Sequence, residues 1–290
     1  MTAKEHATIG LPYQMKQVKL ICTDIDGTLV LDDHKTIPET NLKALIRAQQ
    51  EGARLALVSG RGVFSQKSFI ERLQMDLHKG FIIAFTGAKI VHADSLKQVF
   101  SLPIEMADAR ALYSYVSKLG FDVMVYDDER GRIFATSDNE YTRFDEQVTG
   151  MPLSVIREIA DDMGFVTHKC IIAGNPELMD RHLQKIKETF SPRFSITRSS
   201  AVFAEFNLAS ASKGNALTTL ARMLGIGAGE VLAAGNGEND ASMLDAAGMS
   251  AAPADAMTEA REAAKYLCSR NNAEGALAEA VSFYMGWEYQ

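Results

Sequence analysis

The sequence predicts an α/β protein with a Rossmann-like parallel-sheet core and an inserted α+β domain. Three observations lead there. Short apolar runs alternate with helical stretches at the start of the chain. That rhythm changes after Gly87 and returns at Ser212. Polar clusters close at least three of the apolar runs, at 24–28, 59–61 and 235–240. Open parallel sheets bind ligands beyond the carboxyl ends of their strands, so the three clusters could converge.

The elements follow in order. Residues 1–17 are mixed and polar and read as a loosely ordered leader without the apolar core of a signal peptide. Val18, Leu20, Ile21 and Cys22 form a buried strand stopping at Thr23-Asp24. A helix is expected near Pro38–Gln50, with Leu42, Leu45 and Ile46 on one face and Pro38 in the first turn. Leu55–Val58 and Phe81–Phe85 are the next strands. The insertion is expected over 88–207. Its strand candidates lie near Lys89–His92, Asp122–Tyr126, Arg132–Ala135, Cys170–Ala173 and Ala201–Phe206, and its helices near Glu105–Leu119 and Pro176–Phe190. The core, begun over 18–87, resumes over 208–290. It has a helical stripe Leu217, Leu220, Ala221, Leu224, a strand Val231–Ala234, a helix carrying Met243, Leu244 and Ala247, and a strand–helix region running to Tyr289.

Composition narrows the function classes. The 290 residues are 47% hydrophobic and 23% charged, with a net charge of −7. Such a chain has no general attraction for nucleic acid or anionic membrane, so an anionic substrate must meet local positive groups. Cys22, Cys170 and Cys268 are widely separated, which argues against a disulfide framework or a zinc site. No apolar run is long enough to span a bilayer, and a cytoplasmic location is expected.

The chemistry-bearing residues are few. Asp24 and Asp26 follow a strand two positions apart, and two carboxylates so close need a cation or protons between them. Magnesium suits such oxygen ligands. Gly27 permits a sharp turn, and Thr28 offers a hydroxyl to fix a carboxylate. One carboxylate can attack phosphorus while the other exchanges protons with the leaving oxygen and water. An Asp-Gly turn with two solvated acids is the plainer reading of the pair taken alone. Ser59-Gly60-Arg61 could cradle phosphate at a helix start or simply cap that helix. Lys213, opening a helix beside Gly214, could neutralise a phosphate oxygen, although a lone lysine there is usually on the surface. Gly235–Asp240 could supply a metal ligand or be an Asn/Gly turn that caps a helix. Tyr126, Arg132, Arg143 and His168 read as packing or surface as readily as substrate contacts.

Together the clusters resemble the haloacid dehalogenase superfamily, in the order that family uses: DIDGTL at 24–29, Ser59 in VSGR, Lys213 in SKGNAL and GNGENDASML at 235–244. The long interval between the second and third is similar to the Cof-type subfamily with its α/β cap, as are Met249–Pro253, Ala264–Leu267 and Arg270–Gly275. The resemblance implies a phosphatase of small phosphorylated metabolites, often sugar phosphates. It implies Asp24 as nucleophile and magnesium ligand, and Asp26 as general acid/base that binds metal through its carbonyl. It implies Ser59, Gly60, Lys213 and the backbone of Ile25 as phosphate-binding, with Asn239 on the phosphate and Asp240 at the metal. The fourth motif departs from the pattern: Asn236 stands where the family has an aspartate that ligates magnesium. Magnesium should then bind more weakly, or with help from Glu238 or Asp240. A phosphate-binding or regulatory protein of low turnover and a phosphomutase are the alternative readings. Oligomeric state is open.

Overall fold

The computed structural model describes residues 17–159 and 163–288. Apart from Gln17, the expected leader lies outside them, as does Tyr289. The first half of the core comprises β1 (Leu20–Thr23), α1 (Glu39–Gln50), β2 (Arg54–Val58), α2 (Val63–Arg72), β3 (Phe81–Ala84), β4 (Lys89–His92) and β5 (Gln98–Ser101). An inserted unit follows: α3 (Met106–Val116), β6 (Asp122–Asp127), β7 (Arg132–Ala135), α4 (Glu140–Thr149), β8 (Leu153–Val155), β9 (Cys170–Ala173), α5 (Pro176–Phe190), β10 (Phe194–Arg198) and β11 (Phe203–Leu208). The chain then returns to the core with α6 (Lys213–Met223), β12 (Val231–Ala234), α7 (Ala241–Ala246), β13 (Met249–Ala252), α8 (Thr258–Ala263), β14 (Tyr266–Leu267) and α9 (Ala276–Met285).

The core sheet has the order β14-β13-β12-β1-β2-β3-β4-β5. Pairing is parallel from β14 through β3 and antiparallel at β3–β4 and β4–β5. Side-chain alternation explains the unbroken apolar runs. Ile21 packs with Leu45, Leu277 and Val281 on one face, while its neighbours Leu20 and Cys22 pack with Leu217, Leu220 and Met243 on the other. Both faces are covered, so neither parity of residue can be polar.

The insertion folds around a second sheet, β10-β11-β9-β6-β7-β8. One face, with Val123, Val125, Cys170, Ile172 and Phe206, is covered by Leu112 and Val116 of α3 and Met179, Leu183 and Ile186 of α5. The opposite face, with Met124, Tyr126, Ile133 and Ile171, packs against Val63 and Phe85 of the core. The insertion therefore sits on the core as a cap.

Several sequence expectations change. Lys89–His92 was placed in the insertion, yet it pairs with β3 and extends the core sheet, followed by the unforeseen β5. Both insertion and core predict short strands here, and only pairing separates them. Elements α4, β8 and β10 were also not foreseen. The helix α4 carries several poor helix formers and relies on a capping box, in which Asn139 accepts from Tyr141 and Thr142 N–H. Pro38 precedes α1 as its N-cap and does not occupy its first turn.

Candidate functional site

Strand register builds the site. Thr23, the last residue of β1, lies level with Ala234 of β12 and Leu57 of β2. The chain runs from β1 outward through β2 and β3, then returns to β12 on the other side of β1. The crevice beside β1 is thus the topological switch point of the sheet. Asp24, Ser59 and Gly235 all leave their strands at this end.

The loop after β1 is tight. Leu29 and Val30 N–H groups both donate to the Ile25 carbonyl at 3.0 Å, and the Ile25 side chain is fully buried. Gly27 has φ +77°, and a Cβ there would lie 2.4 Å from the Asn236 side chain. Only glycine allows Asn236 to sit this close to the loop. The Thr28 hydroxyl donates to Asn236 Oδ1 at 3.0 Å, which ties the first cluster to the fourth. Thr28 therefore fixes an amide and not the expected carboxylate.

Lys213 occupies the middle of the site. Its ammonium donates to Asp24 Oδ1 and to Asp240 Oδ1, each at 2.6 Å. Its side chain is 1% exposed, as is that of Asp240, and that of Asp24 is 7% exposed. The surface reading of this lysine is wrong. Ser212 caps α6 by accepting from Asn215 N–H, which starts the helix with Lys213 at its first position. A Cβ on Gly214 would lie 2.3 Å from the Ser242 carbonyl oxygen, so glycine lets α6 close on the fourth cluster and set Lys213 there. Burial, then the nearby Asp240, pushes the Asp24 carboxyl up to about 7, against the pull of Lys213. Burial works against the Lys213 charge too, but Asp24 and Asp240 outweigh it and raise its affinity for the proton.

Both Asp240 oxygens are engaged. Its Oδ1 takes Lys213, and its Oδ2 accepts from Asn236 and Gly237 N–H, both at 2.9 Å. The carboxylate thus orients Lys213 and the turn. Asn239 and Glu238 are exposed. Among the described residues Asn239 makes no side-chain hydrogen bond to the site, so the turn that buries Asp240 turns Asn239 outward.

Asp26 faces elsewhere. Arg61 donates to both its oxygens, through Nε at 2.9 Å and through Nη2, and His34 Nδ1 lies 2.7 Å from Oδ1. Burial raises its carboxyl, but Arg61 and then His34 outweigh that and hold it below the usual range. Arg61 follows directly on the Ser59-Gly60 turn. Its signal was the adjacency to Ser59 and the need of a second carboxylate for a cation.

The expected helix start at 59–61 is different in detail. Ser59 is buried and its hydroxyl accepts from Arg61 N–H at 3.1 Å, but α2 begins only at Val63 after Gly62. The N–H of Phe64, in the first turn of α2, donates to Asp128 of the cap at 3.0 Å. That helix end is thus filled by a protein carboxylate. Ser59 and Gly60 remain beside the site on the turn itself, where the Gly60 carbonyl lies 3.4 Å from Lys169 Nζ of the cap.

The donor set suits a hard cation only as a mixed set of oxygens. No three His, Cys, Asp or Glu side chains cluster closely enough to hold a metal among the described residues. The candidate oxygens are Asp24 Oδ2, the Asp26 carbonyl, the Asn236 side-chain oxygen, which also accepts from Thr28, and the Asp240 carboxylate, which also holds Lys213. The three cysteines are buried and free. Among the described residues, no helix is long and apolar enough to cross a membrane.

A sequence profile described as haloacid dehalogenase-like hydrolase matches residues 21–281. The chain belongs to the haloacid dehalogenase-like hydrolases. Within that family it is a phosphatase of the Cof type. It is 30% identical over 259 residues to YxeH of Bacillus subtilis (strain 168), a protein named "putative phosphatase", covering 89% of this chain and 95% of the relative. A haloacid dehalogenase-like hydrolase from Bacteroides thetaiotaomicron superposes with a TM-score of 0.84 at 26% identity, over 92% of this chain and 99% of that one. A sugar phosphatase of haloacid dehalogenase subclass IIB superposes with a TM-score of 0.74 at 19% identity, over 92% of this chain and 98% of that one. At that identity it speaks for the fold, including the cap.

Proposed function

We propose that this phosphatase hydrolyses small phosphomonoesters, foremost sugar phosphates, through an aspartyl-phosphate on Asp24 with magnesium as cofactor. The observation that carries the proposal is the buried Asp24–Lys213–Asp240 cluster at the switch point of the sheet. A carboxylate beside a fixed ammonium is a nucleophile placed next to a phosphate-neutralising charge. The substrate class is taken from the name of the subclass IIB sugar phosphatase that shares this fold.

In the first step an Asp24 oxygen bonds to phosphorus, and the bond from phosphorus to the ester oxygen breaks. Asp26, having left Arg61 and taken up a proton, gives that proton to the departing alkoxide. In the second step water bonds to phosphorus, the Asp24–phosphorus bond breaks, and Asp26 accepts the proton of the water. Lys213, the Ser59 hydroxyl and the backbone around Ile25 and Gly60 hold the phosphate oxygens, and Asp240 keeps Lys213 aimed. Asp24, the Asp26 carbonyl and Asn236 would hold magnesium, which supplies charge neutralisation between nucleophile and phosphate when bound. With Asn236 uncharged, that site is weaker than one with a further carboxylate.

The test is phosphate release from a panel of phosphorylated metabolites with magnesium present. Asp24→Asn is expected to lower turnover by at least about 1,000-fold, and unchanged turnover would overturn the nucleophile. In the same assay Asn236→Asp is expected to lower the half-saturating magnesium concentration by about tenfold. No shift would mean that Asn236 is not a ligand.

A further inference from the structure

The core-facing side of the cap sheet carries a charged pair with no evident structural need. Met124, Ile171 and Glu205 stand level on β6, β9 and β11, and alternation places Tyr126 and Lys169 on that same face. Much of the face is apolar, with buried Met124, Ile133, Ala135, Ile171, Ala173 and Phe203. Lys169 Nζ lies 3.3 Å from Glu205 Oε2, 3.4 Å from the Gly60 carbonyl and 5.3 Å from the centre of the Tyr126 ring. The side chains of Lys169 and Glu205 are only 10% and 23% exposed.

An ion pair of a buried lysine and a half-buried glutamate contributes little net stability, because desolvation offsets the attraction. Apolar residues would serve the packing of this face as well. Both Lys169 contacts are also longer than the roughly 2.9 Å of a well-made N–H···O bond. The pair nevertheless stands where the cap meets Gly60, next to the turn proposed to hold phosphate. Two residues beyond Glu205, the buried Asn207 keeps a side-chain oxygen without a partner among the described residues.

We infer that Lys169 and Glu205 form the specificity site for the organic half of the substrate and select an uncharged, polyhydroxylated group over one bearing a second anion. The inference rests on the proposed phosphomonoester chemistry at Asp24. An ammonium beside a carboxylate suits hydroxyls, since each hydroxyl both donates and accepts. The Tyr126 ring offers an apolar face, while its hydroxyl is already donated to Asp145. Asp145 lies within electrostatic reach of both Lys169 and Glu205. A second anionic group on the substrate would thus meet two carboxylates and one ammonium.

The experiment compares kcat and KM on three probes: a hexose or pentose monophosphate, p-nitrophenyl phosphate, which has no hydroxyl, and 2-phosphoglycolate, which carries a second anion. The wild type is expected to favour the sugar phosphate over phosphoglycolate. The isosteric Glu205→Gln should lower the ratio of kcat/KM for sugar phosphate to that for p-nitrophenyl phosphate by about tenfold, mainly through KM. Lys169→Met should lower it similarly, with partial recovery in Lys169→Arg. Glu205→Lys should raise the use of phosphoglycolate relative to the sugar phosphate. An unchanged ratio in both Glu205→Gln and Lys169→Met overturns the inference, because a packing role would affect all probes alike. A wild type that hydrolyses p-nitrophenyl phosphate but prefers phosphoglycolate overturns it while leaving the chemistry at Asp24 standing. A wild type that hydrolyses none of the three overturns both.

Discussion

Lys213 and Lys89 are both buried lysines bound to aspartate, yet they sit in different kinds of place. Lys213 lies within the core, 2.6 Å from each of two carboxylates that arrive from the ends of β1 and β12. Lys89, on β4, joins core to cap: it donates to Asp128 at 3.1 Å, and Asp128 also accepts from the first turn of α2. Their side chains are 1% and 6% exposed. One lysine stands in a crevice where ligands bind, with its partners sharing its charge. The other closes a seam, with its partner satisfied on both oxygens. Burial and pairing alone do not mark a functional lysine; location at the switch point does.

This contrast can be broken by substitution. Lys213→Met is expected to have the largest effect, lowering phosphate release by at least about 100-fold, because a positive charge at the proposed phosphate site is lost. Lys89→Met should act mainly on stability. It leaves Asp128 buried with one partner fewer and should cost about 3 kcal/mol in urea unfolding, with kcat within a few-fold of wild type. If Lys89→Met reduced turnover as much as Lys213→Met did, the seam would be part of the chemistry and the distinction would fail.

His168 sharpens the same comparison from the seam side. Its ring stacks on Phe85 at 5.5 Å between centroids, and its Nε2 lies 2.8 Å from the Ser101 hydroxyl of β5. Burial, followed by the Lys89 charge, pushes it down to about 4. The unfolded chain binds a proton near pH 6.5 that the folded chain refuses until about pH 4. Its contribution is therefore complete above the unfolded value and is lost as pH falls through this window. Between neutral pH and about pH 5 the wild type should lose roughly 2 kcal/mol from this group, and His168→Gln should flatten that part of the urea-midpoint profile. An unchanged slope in the variant would assign the loss to other groups.

The sequence was most legible where chemistry is local. Asp24, Asp26, Gly27 and Thr28 lie within five residues, and Lys213 and Asp240 each follow a recognisable strand or helix boundary. Buried parallel strands also announce themselves, because both of their faces must be apolar. The cap was less legible. Glu140–Thr149 mixes Thr and Val with charged residues, and β10 is an edge strand with a largely exposed pattern. The helix buries the polar Thr142 and Asp145 in place of an apolar stripe, and the strand alternates Phe194 and Ile196 with polar residues over only five positions. Lys169 and Glu205 lie 36 residues apart in sequence and fall in no motif, so nothing local distinguishes them from solvent-facing charges.

By itself, the sequence determined the α/β core and pointed to an insertion and to candidate residues for phosphoryl chemistry. These follow from apolar periodicity and from carboxylates and glycines placed within a turn of each other. Tertiary structure alone decided that Lys89–His92 belongs to the core sheet, since a strand's sheet is defined by its hydrogen-bonded neighbour. It decided that Asp240 serves Lys213, that Asn239 turns outward and that Arg61 holds Asp26. It also brought Lys169 over Gly60. Each of these depends on which distant groups share one small volume, and that is settled by how the sheets pack and not by the order of residues along the chain.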